Sequence, residues 1–276
     1  TPTSVFTDSL GQQTKLTQYL DTKVSAAATK ETTTYGYNVQ GKMTSMVDPV
    51  GNKWGWGFDV LGRQVSATDP DTGTNTKTYD NAGNLLTSTD ARGTTLAYTY
   101  DALNRKTGQY TPSADSSGSL LASWTYDTLA KGQLTSSSSF TGSTPGKPGL
   151  EYKDSITGYT DLYQPSGETI NIPTGAPAFG GTNYSTSMFY FADGALSVKN
   201  DPAAGGLPAE RLRYGYNSLG KQGGVYGLNN YASTVFTAIG QVAQVARYGP
   251  TGTPTLYTAY GYNNANGALL NIADQS

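Results

Sequence analysis

Large and small side chains alternate along short stretches of this chain, as in Trp54-Gly55-Trp56-Gly57-Phe58 and Leu96-Ala97-Tyr98-Thr99-Tyr100. A period of two places alternate residues on opposite faces of a β-strand, so each stretch reads as a strand with one packed face. The strand runs into Asp59-Val60-Leu61-Gly62 or Asp101-Ala102-Leu103-Asn104. An Asp that can bond backbone amides two residues on, followed by a Gly or Asn able to take positive φ, predicts a turn. A second strand follows, such as residues 63–68, and ends at Asp69-Pro70; Asp48-Pro49 closes the preceding unit in the same way. One unit is therefore two strands and two turns.

The units recur in register. Asn38, Asp59, Asp80 and Asp101 are 21 residues apart at each step (59−38, 80−59, 101−80), as are Gly41, Gly62 and Gly83, with Asn104 in the fourth slot. Aromatic columns run in phase: Tyr37, Phe58, Tyr79, Tyr100, and Tyr35, Trp56, Lys77, Tyr98, where Lys77 breaks the series. Trp54, Asn75 and Leu96 form a third column, broken at Asn75. A lone hairpin cannot bury its aromatic face, and repetition in phase solves this by stacking rings in ladders. The pattern then loosens. Tyr126-Asp127, Tyr216-Asn217 with Gly220, and Tyr262-Asn263 restate the strand end, and Phe236 to Gly240 is a weaker copy.

The chain is thus expected to be all-β, one repeat region over residues 1–276. Its strongest repeats fall at 30–135, a loop-rich insert at 137–210, and further repeats at 211–276. Residues 137–149, 175–181 and 202–208 read as long loops between strands of one continuous sheet. Residues 22–32 are the single stretch with helical character.

Composition sharpens this picture. Gly 34, Tyr 21 and a charged fraction of 14% describe strands and turns, and a hydrophobic fraction of 36% is low for a thick core. Tyrosine buries its ring and keeps its hydroxyl wet, which suits a thin wall. A net charge of −2 offers nothing to nucleic acid, and no stretch has the length of an apolar membrane span. With no Cys there is no disulfide framework, and with no His the commonest general base and metal ligand is missing. The N-terminus, without initiator Met, reads as a processed or excised end.

Candidate chemistry is thin. Gly36 to Lys42 and Gly215 to Lys221 have the spacing of a phosphate loop, but Met43 and Gln222 stand where a metal-binding hydroxyl is needed. The periodic acids read as turn formers, because an active site has no reason to recur every repeat. Glu151, Asp154, Glu168 and Glu210 break the pattern and show no informative spacing. No cofactor, metal or catalytic residue is assigned.

The segment Tyr98-Thr99-Tyr100-Asp101-Ala102-Leu103-Asn104-Arg105 and Phe58-Asp59-Val60-Leu61-Gly62-Arg63, with turns at Asp48-Pro49 and Asp69-Pro70, resembles the Rhs/YD-repeat family. Members include bacterial polymorphic toxins, wall-associated proteins, insecticidal toxin-complex subunits and teneurins. The resemblance implies a curved, spiralling antiparallel sheet of YD-type hairpins forming part of a hollow shell. It implies a secreted or cell-surface bacterial location, and a structural, non-enzymatic role enclosing a C-terminal toxin or cargo outside this chain. Partners would be other repeats or chains closing the sheet. The motif residues carrying this are Tyr37, Asn38, Gly41, Phe58, Asp59, Gly62, Arg63, Tyr79, Asp80, Gly83, Tyr100, Asp101, Arg105, Tyr126, Asp127, Tyr216, Asn217, Gly220, Tyr262 and Asn263. The alternative is an extracellular module binding glycans through Trp54, Trp56 and Tyr98 exposed in a groove.

Overall fold

A computed structural model of the chain describes residues 2–20, 29–111, 118–177, 179–228, 230–249 and 252–275. It is all-β: 22 strands, assigned to one antiparallel sheet that does not close among the described residues. Contacts divide the chain into two compact units, Thr1–Ser123 with Gly142–Gly149, and Trp124–Thr141 with Leu150–Ser276.

In the first unit the strands are β1 (Thr3–Thr7), β2 (Gln13–Tyr19), β3 (Lys30–Tyr37), β4 (Met43–Val47), β5 (Lys53–Phe58), β6 (Gln64–Asp69), β7 (Gly73–Tyr79), β8 (Leu85–Thr89), β9 (Thr95–Tyr100) and β10 (Lys106–Thr111), leading into β11 (Ser119–Tyr126). Each pairs with the next in sequence, from Val5↔Leu16 at one end to Gly108↔Ser123 at the other. Of the stretch with helical character, residues 22–28 lie outside those described; Lys30 to Thr32 belong to β3, so there the expectation is corrected.

The second unit is built the same way from β12 (Leu134–Thr141), β13 (Leu150–Tyr159), β14 (Pro165–Ile172), β15 (Thr182–Tyr190), β16 (Leu196–Asp201), β17 (Glu210–Tyr216), β18 (Gln222–Tyr226), β19 (Asn230–Phe236), β20 (Val242–Tyr248), β21 (Pro254–Tyr262) and β22 (Leu269–Gln275). Sequential pairing holds here as well. Residues 142–149, 173–181 and 202–209 connect adjacent strands, so the Gly- and Pro-rich segments are hairpin tips.

β7 shows how a strand of the repeat faces two environments. In β7, Asn75, Lys77 and Tyr79 are half-buried and Thr74, Thr76 and Thr78 exposed. The exposed face carries hydroxyl pairs across strands: Thr68–Thr74 at 2.9 Å, Thr78–Thr87 at 2.6 Å and Thr89–Thr95 at 2.8 Å. β-branched hydroxyl residues favour pleated surfaces and satisfy one another there. The aromatic face is covered only by its own neighbours. Among the described residues Ala246 is the only buried hydrophobic, and the other buried positions are Thr, Ser and Gly. The sheet therefore has rows of half-covered rings in place of a dry core.

Candidate functional site

The candidate functional element is the edge at which the tyrosine-ended hairpins turn, and it can be built from a single copy. At Asp59 the backbone amide donates to Arg63 O at 2.9 Å, and Gly62 N–H returns to Asp59 O at 2.9 Å. Gly62 sits at φ 76°, which an L side chain enters only at a cost. The Asp59 carboxylate accepts from Leu61 N (3.0 Å), Arg63 N (2.8 Å) and Arg63 Nε (2.7 Å). The same geometry recurs at Asn38, Asp80, Asp101 and Asn217, each with its own Gly41, Gly83, Asn104 or Gly220 at positive φ. Asn serves because its amide oxygen accepts the same two backbone donors, as at Asn38 (Gln40 N and Lys42 N, both 3.0 Å). At Tyr126-Asp127 the turn is longer: Asp127 N reaches Gln133 O, and its carboxylate accepts from Gly132 N. At Asn263 it closes on Ala268 O.

One residue past each turn the register slips by one. Tyr37↔Met43 beside Gly36↔Ser45 leaves Thr44 extra, and the same slip leaves Val65, Leu86 and Thr107. A bulge bends its strand and increases the local twist, so each hairpin carries the same local bend at the same point.

The motif tyrosine joins one hairpin to another. Its hydroxyl donates to the backbone carbonyl of the first residue after an earlier turn: Tyr79 to Gln64 O (3.0 Å), Tyr100 to Leu85 O (3.0 Å) and Tyr37 to Gln13 O (2.9 Å). In the second unit Tyr216 reaches Leu196 O (3.0 Å) and Tyr262 reaches Val242 O (2.9 Å). Where the column holds Phe, a lysine from an earlier turn lies over the ring: Lys42 Nζ is 5.5 Å from Phe58, and Lys221 Nζ is 5.9 Å from Phe236. Those are the lysines of the two phosphate-loop look-alikes, and they point at rings.

A second ladder, not anticipated from sequence, links the turns themselves. Arg63 Nη1 donates to Asp80 O of the next turn at 2.6 Å, Gln40 Nε2 to Val60 O at 3.1 Å, and Asn84 Nδ2 to Asn104 Oδ1 at 2.8 Å. Gln164 Nε2 to Gly194 O (2.6 Å) and Gln241 Nε2 to Gly267 O (2.7 Å) repeat it in the second unit. The motif arginine thus serves two turns at once.

Sequence reasoning also missed whole copies. Asp8 with Gly11, Tyr159-Thr160 with Tyr163, and Tyr190-Phe191 with Gly194 form the same turns. Tyr159 donates to Leu134 O at 2.6 Å and Tyr190 to Pro165 O at 2.7 Å. For the latter two copies the usable signal was the interval of four from the aromatic residue to the positive-φ residue, kept even where that residue is Tyr163 (φ 60°); the Asp8 copy has Thr7 in the aromatic slot and lacks that signal.

Hydrogen bonds of this kind set the charge state of the acids at the turns on both strand ends. The Asp59 pKa is held below the ordinary value by the Arg63 backbone N–H and then by its guanidinium, and the Asp101 pKa in the same way by Arg105. The Asp80 pKa is lowered first by the Asn84 side-chain amide, the Asp90 pKa first by Arg92, and the Asp69 pKa first by Thr72 N–H. At Asp48 desolvation is the largest influence and acts upward, yet the Asn52 amide and backbone N–H groups outweigh it.

Of the four non-repeat acids, two are brought together; Glu151 instead accepts from Ser138 Oγ at 2.7 Å, and Glu210 accepts from Leu228 N at 2.7 Å. Asp154 on β13 and Glu168 on β14 share a face, since Asp154 pairs with Ile170, two residues from Glu168. Burial first, then a hydrogen bond to Asp154 and its charge, push the Glu168 pKa up, with Lys199 opposing. Asp154 Oδ1 is buried and has no hydrogen-bond partner among the described residues. Lys199 itself is paired to Asp201 at 2.7 Å. Among the described residues no group of three potential metal ligands converges.

Trp54, Trp56 and Tyr98 do not form an exposed groove. All three are half-buried, Trp54 Nε1 is bonded to Asp69 Oδ2 at 2.9 Å, and Lys106 Nζ covers the Tyr98 ring at 4.4 Å. The glycan platform therefore lacks its basis.

Residues 37–74 and 79–116 match the family model for the RHS Repeat. No curated protein matches the chain. Among solved structures it is similar to the TcdB2–TccC3 crystal structure, with a TM-score of 0.72 at 16% identity. It is likewise similar to the Photorhabdus luminescens Tc holotoxin pore with the TccC3 D651A mutation, with a TM-score of 0.70 at 15% identity. In both cases all of this chain is covered and 14% of the other, so the chain spans about a seventh of the length of the structures it matches. At that identity the likeness establishes the fold.

Proposed function

The chain is an Rhs/YD-repeat protein, and we propose that it is a wall segment of a hollow shell that encloses a toxin or other cargo lying outside these residues. The observation that carries this is the construction of the sheet. Its cohesion runs from repeat to repeat through tyrosine staples and turn-to-turn bonds, and no dry core is needed. Such a wall can extend indefinitely and exclude the outside from a cavity. We take residues 1–276 as one repeat region and the motif residues as the ones on which it depends. The role is structural, with no catalytic step assigned to any residue.

The edges support the same reading. All seven residues of β22 are exposed, with Leu269 at 50%, Leu270 at 66% and Ile272 at 56%, and at β1 Val5 and Phe6 are exposed. An uncovered apolar edge strand is a template for further pairing, so other repeats or partner chains are expected to cover both edges. Among the described residues no helix is long and apolar enough to cross a membrane. An extracellular toxin assembly is the setting we assign.

Limited proteolysis of the native polypeptide that carries these residues tests this. Its denatured mass is expected to lie far above 29.1 kDa, with an enclosed segment resisting protease until the wall is unfolded. A monomer of 29.1 kDa with no partner, or cargo digested as fast inside as when free, would overturn the proposal.

A further inference from the structure

The aromatic ladder of the first unit has a gap, and the gap is a cavity. In the regular rows Tyr35, Met46 and Trp54 lie opposite one another across β3, β4 and β5. One repeat on the row is Trp56, Ala67, Asn75, and the next is Lys77, Ser88, Leu96. Four adjoining positions (Ala67, Asn75, Lys77 and Ser88) therefore hold small or polar residues where neighbouring rows hold rings and long side chains. A cavity of about 360 Å³ opens there, lined by these four with Gln64 and Leu96. Its volume lies within the range of small-ligand sites.

Its charge is unbalanced. Lys77 is half-buried and has neither an ion-pair partner nor a hydrogen bond among the described residues. The Asp90 carboxylate at the rim is already engaged by the Arg92 guanidinium at 2.6 and 2.9 Å and by the Arg92 and Thr94 amides. Arg92 and Asp90 cancel, which leaves one free cation. A partly desolvated, unpaired ammonium is unfavourable unless an anion reaches it. Neutral donors stand beside it in Asn75, Gln64 and Ser88, and Ala67 and Leu96 supply an apolar floor.

We propose that this cavity is a binding site for a single carboxylate on an apolar stem, the chemistry of a glutamate side chain presented by a polypeptide. One free positive charge is matched by a monoanion, whereas a dianionic phosphate would leave excess charge beside Asp90. The floor suits the methylene stem, and the amides and hydroxyl suit the second oxygen. The site stands on the cavity and on Lys77 and does not depend on the shell reading.

Trp56, opposite Ala67, is a built-in reporter. Tryptophan fluorescence of the full chain would be followed at fixed ionic strength during titration with a blocked oligoglutamate peptide, an oligoglutamine peptide and inorganic phosphate. The oligoglutamate is expected to saturate and the oligoglutamine to give no change. Lys77→Met and Lys77→Gln, checked for native circular dichroism, are expected to weaken binding by roughly tenfold or more, as for loss of a charge-assisted hydrogen bond. Asn75→Trp with Lys77→Tyr, which restores the ladder, is expected to abolish binding and leave the melting temperature equal or higher. Absence of saturation, unchanged binding by both Lys77 variants, or tighter binding of phosphate than of the carboxylate peptide would overturn the assignment.

Discussion

The hairpins between Tyr37 and Arg105 and those between Tyr159 and Gly220 make the same turn from different residues. In the first stretch the turn opens with Asn38, Asp59, Asp80 or Asp101, and the positive-φ position is Gly or Asn. In the second it opens with Thr160, Phe191 or Asn217, and the positive-φ position is Tyr163, Gly194 or Gly220. Thr160 can still accept from Gln164 N with its hydroxyl, at 3.2 Å, but the Phe191 side chain accepts nothing. What persists in Tyr159, Tyr190 and Tyr216 is the hydroxyl on a neighbouring backbone carbonyl. The acid is one of several ways to build the turn, while the tyrosine staple is the feature common to both regions.

Deleting the ring costs the most stability. Tyr100→Ala and Tyr190→Ala are each expected to cost about 2–3 kcal/mol, below the fully buried range because both rings are half-covered. Urea denaturation of each variant would show it, and a loss confined to Tyr100 would mean that the second region is held by something else. The positive-φ position separates the regions by sign. Gly62→Val is expected to cost about 2 kcal/mol, since a β-branched residue is disfavoured there and an added Cβ would come within 2.8 Å of Lys42 Cε. Tyr163→Gly, at φ 60° with a side chain 52% exposed, is expected to stabilise by up to about 1 kcal/mol. Paired thermal scans decide both.

Acid separates the regions further. Asp59, Asp80 and Asp101 have folded pKa values below their unfolded ones, so the unfolded chain binds more protons as the pH falls. Their contribution is complete above the unfolded value of about 4 and is lost as the pH drops through the lower folded values. Glu168 has the opposite sign: its raised folded pKa gives a contribution present below the unfolded value of about 4.3 and lost as the pH rises through the folded one. Hydrogen exchange at descending pH should therefore show the Asp-turn stretch opening first. Glu168→Gln should stabilise the second region at neutral pH and do little in acid. The tyrosines set the alkaline limit. Desolvation first raises the Tyr100 and Tyr190 pKa values, so their contribution holds below about 10 and is lost as the pH rises beyond the folded values.

Fold class was legible because Asp59, Gly62 and Phe58 each recur at one interval, and periodic turn chemistry has one economical explanation. The copies at Tyr159 and Tyr190 were not, because Thr160 and Phe191 carry no turn signature and a tyrosine at positive φ violates the expectation that Gly marks the place. The Asp154–Glu168 pair was invisible for a different reason. Its members are 14 residues apart in sequence (168−154) and meet only through the β13–β14 register, which the loop between them fixes. The role of Arg63 was half visible: its position in the motif could be read, but its reach to Asp80 O depends on how successive turns stack. The breaks at Asn75 and Lys77 were visible as breaks, and the cavity they leave needed the cross-strand register.

Whether the tyrosine staple holds both regions is decided by the loss of stability on Tyr→Phe substitution at matched positions, Tyr79 and Tyr100 in the one region and Tyr190 and Tyr216 in the other. Each change removes a single hydroxyl and leaves the ring. A loss of about 0.5–1.5 kcal/mol at all four, similar in both regions, is the expected result. Losses at Tyr79 and Tyr100 with none at Tyr190 and Tyr216 would contradict it, and would return the defining role to the aspartate turn.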